Sequence, residues 1–485
     1  MGYRSTYLNW TTPTIDRLAS EGIKLENYFS SYLCVPARGA LLTGRYPIRL
    51  GLWKSSDGAE LPLSEVTLGQ EMQSAGYRTY MVGKWHLGFS TAKHTPTHRG
   101  FDSSYSYWNG FVDYWTKSYA SYTDLHNGVD LVTDPEELSS GLHNGILMQT
   151  KAEAAIADHA ANYNDQPMFL YYAMQLIHGE WSAPESYLQR CSVPTSITDD
   201  YVRNVTYNYC ALNVMLDEAV ANLTCALETY GMADNTVLVL VSDNGGEQTI
   251  EGNSYPFVGN KGSYYRGGLS ATGLVHSKKI PVAARGLPYY GQMHVTDWLP
   301  TLMGLATNNE WTGSMVGAEL DGVDQWAAIT TPGTASPRSE ILHYHDGESV
   351  SSIQIDMMKL NLGDDGKESS SPEYVFEKDM APENAAQTCT SPSLMSVETS
   401  LVGGNDEGSS VMTGDSVVHG STNSSFFGRK MSILMILLLI TLIMVMSVRL
   451  ASMLGKQDED IGSQFDIKAD YESSPSFSES SRLLI

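Results

Sequence analysis

The sequence predicts an α/β protein with a central, largely parallel sheet covered by helices on both faces. Three observations carry this. The run Thr236-Val237-Leu238-Val239-Leu240-Val241 is continuous, apolar and β-branched, as a strand buried on both faces must be. The stretch 201–230 before it reads as a long helix stopped by Gly231. Finally, three polar, glycine-bearing or histidine-bearing segments each follow a strand-like run, and in open α/β sheets sites gather at the carboxyl ends of strands. They are Gly83-Lys84-Trp85-His86, Gln175 to His178, and Ser242-Asp243-Asn244-Gly245-Gly246.

Taken in order, Thr12-Pro13-Thr14 opens a helix that runs through Leu18. Pro36 suits the first turn of a helix over 37–42, and Gly44 suits its end, which sets Cys34 at a helix N-terminus where unpaired N–H groups favour an anion. A helix over 68–75 ends at Gly76 before a strand over 78–82, and 168–173 is a short apolar strand. Around 336–362 the alternation shortens, as in Ser352-Ile353-Gln354-Ile355 and Met357-Met358-Lys359-Leu360, predicting a small antiparallel sheet. The chain therefore divides into a main domain over 1–330, a small C-terminal subdomain over 331–365, and a Ser/Thr/Gly-rich disordered stalk over 366–428. After the stalk, Met431 to Val448 is an apolar run flanked by Arg429, Lys430 and Arg449. Its length at about 1.5 Å per residue matches a bilayer, so 429–450 is predicted to be one transmembrane helix and 451–485 a cytosolic tail.

A formal charge of -25 with no basic run argues against a nucleic-acid partner. Four tripeptides, beginning at Asn9, Asn204, Asn222 and Asn423, fit the glycosylation pattern. Of the five cysteines, Cys191, Cys210, Cys225 and Cys389 could form two bridges in three pairings if Cys34 is consumed by chemistry, and the spacing does not choose among them.

Cys34-Val35-Pro36-Ala37-Arg38 sets a nucleophile, a proline and a cation at the spacing Cys-x-Pro-x-Arg and continues into Leu42-Thr43-Gly44-Arg45. Lys84 and His86 stand two residues apart in an extended segment, so a cation and an imidazole point the same way. Asp243 and Asn244 pair a carboxylate with an amide oxygen, hard ligands suited to Ca²⁺ or Mg²⁺.

Together these segments resemble the sulfatase family, from about residue 12 to 305. The resemblance implies an alkaline-phosphatase-like sulfatase fold and a Cα-formylglycine made from Cys34 by a formylglycine-generating enzyme. Its hydrated aldehyde would be the nucleophile. Arg38 would hold that hydrate, Lys84 and Lys261 would bind sulfate, His178 would protonate the leaving group and His86 would help release sulfate. Asp243, Asn244 and the modified Cys34 would ligate one Ca²⁺. Segments such as His294-Val295-Thr296-Asp297-Trp298-Leu299-Pro300 look most like the arylsulfatase B group, whose substrates are N-acetylgalactosamine 4-sulfates. The implied activity is hydrolysis of aryl or carbohydrate sulfate esters. The alternatives are a phosphoester or phosphonate hydrolase of the same superfamily and a catalytically dead, glycan-binding membrane protein.

Two departures from the family pattern matter. Ala37 replaces the usual Ser, and the Asp-Asp pair of the family's first strand is not in this sequence, which reads as truncated before Gly2-Tyr3. The span and sequons predict a single-pass protein of the secretory pathway. Glu479, Leu483 and Leu484 fit an acidic dileucine signal read by sorting adaptors, which predicts a lysosomal or endosomal address, with the cell surface as the alternative.

Overall fold

A computed structural model describes residues 2–5, 8–53, 58–179, 181–195, 197–247, 252, 254–345, 351–356, 358–362 and 482–484. The stalk over 366–428, the span over 429–450 and the tail up to residue 481 lie outside the described residues. Among the described residues, one helix is long and apolar enough to cross a membrane, Asp200–Thr229, and it is mostly buried against the sheet.

The centre is a ten-stranded sheet in the order Pro288–Tyr289, Ile23–Leu25, Gly273–His276, Thr236–Val241, Arg482–Leu484, Met168–Ala173, Arg78–Lys84, Ser103–Tyr107, His126–Asn127, Asp130–Leu131. It is mixed, and parallel through its middle. Gly273–His276 runs antiparallel to both its neighbours, and the far edge closes with antiparallel pairs. The middle, from Thr236–Val241 to Ser103–Tyr107, is parallel throughout. Period-two alternation assigns its side chains to two cores. Met81, Phe169, Tyr171, Val237 and Val239 face helices Cys34–Thr43, Leu68–Ser74 and Trp298–Ala306. Tyr80, Val82, Met168, Leu170 and Tyr172 face helices Asn144–Asn162 and Asp200–Thr229.

The helix stops are as the sequence predicts. Gly44 takes φ 66 at the end of Cys34–Thr43, and Gly231 takes φ 66 after Asp200–Thr229. Thr67 and Gln70 form a capping box at the start of Leu68–Ser74. The predicted small antiparallel sheet is three strands, Glu340–His345, Ser351–Ile355 and Met358–Leu362.

Residues Arg482–Leu484 enter the middle of the sheet as a parallel strand, pairing Thr236, Val237 and Leu238 on one side and Phe169 and Leu170 on the other. They reach only the first half of their neighbours. Among the described residues, no strand lies between Tyr171–Ala173 and Val239–Val241. There lies a cavity of about 830 Å³, walled by Leu216 and Val220 on one face and by Tyr28 and Val295 on the other. Gly2–Arg4 form a short 3₁₀ turn, and Arg4 lines the same cavity. A cytosolic tail was the expectation for Leu483 and Leu484.

Of the cysteines, Cys191 and Cys210 are bonded to each other, Cys225 is also in a disulfide, and Cys34 is free and buried. Asn9 and Asn204 are exposed, and Asn222 is half-buried.

Candidate active site

The cavity opens onto the carboxyl ends of the parallel strands, and there the fold assembles the residues singled out above. Lys84 ends the strand Arg78–Lys84, and His86 follows two residues later. His178 follows Met168–Ala173 across a short turn, and Asp243 and Asn244 follow Thr236–Val241. Opposite them, Cys34 is the first residue of the helix Cys34–Thr43, with Arg38 one turn further on the same face. Gly83 makes this convergence possible. It adopts φ 104, and a Cβ there would lie 2.1 Å from the carbonyl oxygen of Ala173, so only glycine lets the two strands close up beneath Lys84.

Four side chains reach the Cys34 sulfur. Its Sγ donates to Asn244 Oδ1 at 3.5 Å, and Lys84, His178 and His86 stand close enough to act on its ionisation. Burial and the Asp243 charge push the thiol up, but Lys84 and the two imidazoles outweigh them and hold it well below the ordinary thiol range. Behind the sulfur, Arg38 is buried. Its Nη1 donates to Lys84 O at 3.0 Å and Tyr171 Oη at 3.2 Å, and its Nη2 to Asp243 Oδ2 at 3.0 Å. Burial opposes ionisation of Asp243, yet Arg38, Lys84 and Lys261 hold its carboxyl well below the usual carboxylate range. Lys84 is pushed down by its burial, and so is His86, which is therefore neutral near pH 7.

Lys261 lines the same cavity, held by its N–H to Gly246 O at 2.9 Å, with Glu247 3.9 Å from its ammonium. His178 lies under Phe111, ring centroids 5.4 Å apart and nearly parallel. Six of the eight predicted site residues, Arg38, Lys84, His178, Asp243, Asn244 and Lys261, thus line one cavity, with Cys34 bonded to Asn244 at its edge. Two further residues take part, Tyr171, which was not singled out from sequence, and Gln175, which opens the segment that leads to His178. Tyr171 accepts from Arg38. Gln175 is buried, takes a hydrogen bond from Asn144 Nδ2 at 3.0 Å and gives one to Val112 O, which fixes the turn that leads to His178. Tyr171 does lie on the same strand face as Phe169, a period-two signal that marks burial but not this role.

Among the described residues, His86 Nδ1, His178 Nδ1 and Arg38 Nε are buried at the site without a protein partner. A polar pocket lined by Arg4, Arg38, Lys84 and Lys261 against the carboxylates of Asp243 and Glu247 is suited to a tetrahedral oxyanion. For Ca²⁺ the residues present do not suffice. Asp243 is engaged by Arg38 and Asn244 by Cys34, and among the described residues no group of three or more His, Cys, Asp or Glu side chains could hold a metal. Ca²⁺ takes about six to eight oxygens.

A cysteine at a helix start thus lies with two imidazoles and two lysines at the carboxyl end of an α/β sheet. The sequence pattern of the Sulfatase family matches residues 4–308, and this chain belongs to that family. Arylsulfatase J of Mus musculus is 36% identical over 353 residues, covering 71% of this chain and 56% of that protein. Arylsulfatase A of Homo sapiens is 30% identical over 355 residues, covering 69% and 66%. The chain thus spans less than two thirds of either relative. Among solved structures, Ps i-CgsB in complex with k-i-k-neocarrahexaose superposes with a TM-score of 0.61 at 24% identity, over 73% of this chain and 78% of that one. A phosphonate monoester hydrolase from Silicibacter pomeroyi shares the fold at a TM-score of 0.51 and 14% identity, over 72% and 81%. The fold is the alkaline-phosphatase-like sulfatase fold, with mixed sheets between helices.

Proposed function

We propose that this chain is the catalytic part of a sulfuric ester hydrolase that removes sulfate from aryl or carbohydrate esters. The observation that carries the reading is the convergence of Lys84, His86, His178 and Asn244 on the sulfur of Cys34, with Arg38 beneath. A formylglycine formed at position 34 would supply a hydrated aldehyde oxygen as the nucleophile toward sulfur. Lys84 and Lys261 border the space where sulfate oxygens would lie and neutralise charge that grows there. His178 faces the open cavity and donates a proton to the departing alcohol oxygen. His86, neutral through burial, takes up a proton from position 34 as sulfate leaves. Arg38 orients that position through the Lys84 carbonyl and Asp243. No step here rests on a metal.

Parallel assays on aryl sulfate and aryl phosphate, with Cys34→Ala as control, test the proposal. Faster turnover of phosphate would move the chain to the phosphoester branch. The N-acetylgalactosamine 4-sulfates implied by sequence are the first carbohydrate substrates to assay. Peptide mass spectrometry after expression in a secretory host reads the modification of Cys34 directly. Ca²⁺ is proposed to bind weakly while Asp243 is committed to Arg38, because ligand charge sets affinity.

The commitment of Asp243 to Arg38 favours a second reading, a binder of sulfated glycans without turnover, which glycan capture with no sulfate release would establish. The membrane span and the lysosomal or endosomal address are proposals of the same kind. In cells, Leu483→Ala with Leu484→Ala moves the protein to the plasma membrane if an adaptor reads the pair, and leaves its distribution unchanged if the sheet holds it.

A further inference from the structure

His86 has φ 56, a left-handed backbone that a residue with a side chain seldom adopts, so something outside it must fix its place. Trp85 N donates to Tyr107 O at 3.0 Å and His86 N to Trp108 O at 3.2 Å, extending the strand ladder past the end of Arg78–Lys84. The imidazole itself rests on Gly110. A Cβ on that residue would lie 2.9 Å from His86 Cε1, 3.1 Å from Nε2 and 3.4 Å from Nδ1. Gly110 has no positive φ, so its backbone tolerates alanine, and the group that must give way is the histidine ring.

The turn over residues 108–110 is clamped by one buried carboxylate. Asp124 accepts from Trp108 N at 2.9 Å, Asn109 N at 2.8 Å and Asn109 Nδ2 at 2.9 Å. His126 Nε2 stands 3.2 Å from its other side, and the His126 ring stacks on Trp108 at 3.5 Å and 5°. Asp124 is thereby tied to the turn, the turn to Gly110, and Gly110 to the ring.

We propose that Gly110 and Asp124 are positioning residues for His86, acting through the turn that bears its imidazole. The functional consequence rests on the role of His86 proposed above, but the placement does not. The test therefore reads the ring first. In the full chain labelled with 13Cε1-histidine, the His86 signal is assigned by its loss in His86→Gln. Gly110→Ala moves that signal and leaves those of His143, His294 and His343 in place, with an unfolding midpoint within about 2 °C of the parent. Asp124→Asn moves the same signal. In formylglycine-bearing protein, Gly110→Ala lowers kcat by about 10- to 100-fold with KM unchanged, and adds nothing in the His86→Gln background. An unmoved His86 signal in Gly110→Ala overturns the proposal, as does a further loss of kcat when Gly110→Ala is added to His86→Gln. A moved signal in an inactive protein supports the placement and counts against the activity alone.

Discussion

Two buried arginine–aspartate pairs in this molecule use the same chemistry to opposite ends. Arg338 and Asp297 are fully enclosed, and every polar atom is engaged. Arg338 Nε reaches both Asp297 oxygens at 3.1 and 2.8 Å, Nη1 donates to Tyr46 Oη and Glu340 O, and Nη2 donates to Asp297 and Asp321 O. Asp297 takes further bonds from His294 N, Val323 N and Gln325 Nε2. The pair ties Trp298–Ala306 to the segment leading into the small sheet. Arg38 and Asp243 form a looser pair. Arg38 Nε has no partner, and the Asp243 side chain is 29% exposed and accepts only from Arg38 among the described residues. A closed pair holds the fold. An open one, with capacity left over, faces the chemistry.

Breaking the closed pair has the largest expected effect. Arg338→Met leaves Asp297 buried without its counterion and costs about 3–5 kcal/mol, read as a lowered denaturant midpoint. A cost below about 1 kcal/mol would remove the contrast between the pairs. A second closed group, His143, sharpens it through pH. Its Nδ1 accepts from Gly145 N at 3.1 Å and its Nε2–H donates to Ser182 O at 3.0 Å, so both nitrogens are used by the neutral ring. Burial lowers its pKa from 6.5 to about 4. Above pH 6.5 both states are neutral and the group contributes nothing to pH dependence. As pH falls from there to about 4, the unfolded chain binds a proton that the folded one refuses, and stability drops by about 3 kcal/mol. His143→Gln flattens that part of the profile.

Opening the looser pair is the converse. Arg38→Met costs less than about 2 kcal/mol, since the Asp243 carboxylate can hydrate, yet it lowers sulfatase turnover by about 100-fold or more. Equal losses of stability in Arg38→Met and Arg338→Met would contradict the division between the pairs. The smallest effect belongs to the three-residue strand. Leu484→Pro deletes one ladder N–H and costs about 1 kcal/mol, with thermal unfolding as the readout.

The contrast also explains what the sequence revealed. The strands Met168–Ala173 and Thr236–Val241 and the helix Asp200–Thr229 were legible because long apolar runs carry their own period and stop at glycines. Gly273–His276 and Ile23–Leu25 were not, being too short to show one, and their antiparallel pairing is a tertiary outcome. Arg482–Leu484 has no local signal at all. In the site, Cys34, Arg38, Lys84, His86 and Asp243 stood out because their types and spacing are chemically unusual. Tyr171, Gln175, Gly110 and Asp124 are ordinary residues whose roles exist only through contacts across tens of positions.

The half-filled slot in the sheet leaves a pattern in time as well as in space. Amides along Val237–Leu238 and Phe169–Leu170 that point toward Arg482–Leu484 are locked in a ladder. Their counterparts along Val239–Val241 and Tyr171–Ala173 point into the 830 Å³ cavity instead. Deuterium from solvent will reach the second set far sooner than the first, although both sit on the same central strands. The amides on their other edge stay paired with Arg78–Lys84 and Gly273–His276, so exchange would pick out only the cavity side of the two strands that lead to Asp243 and His178.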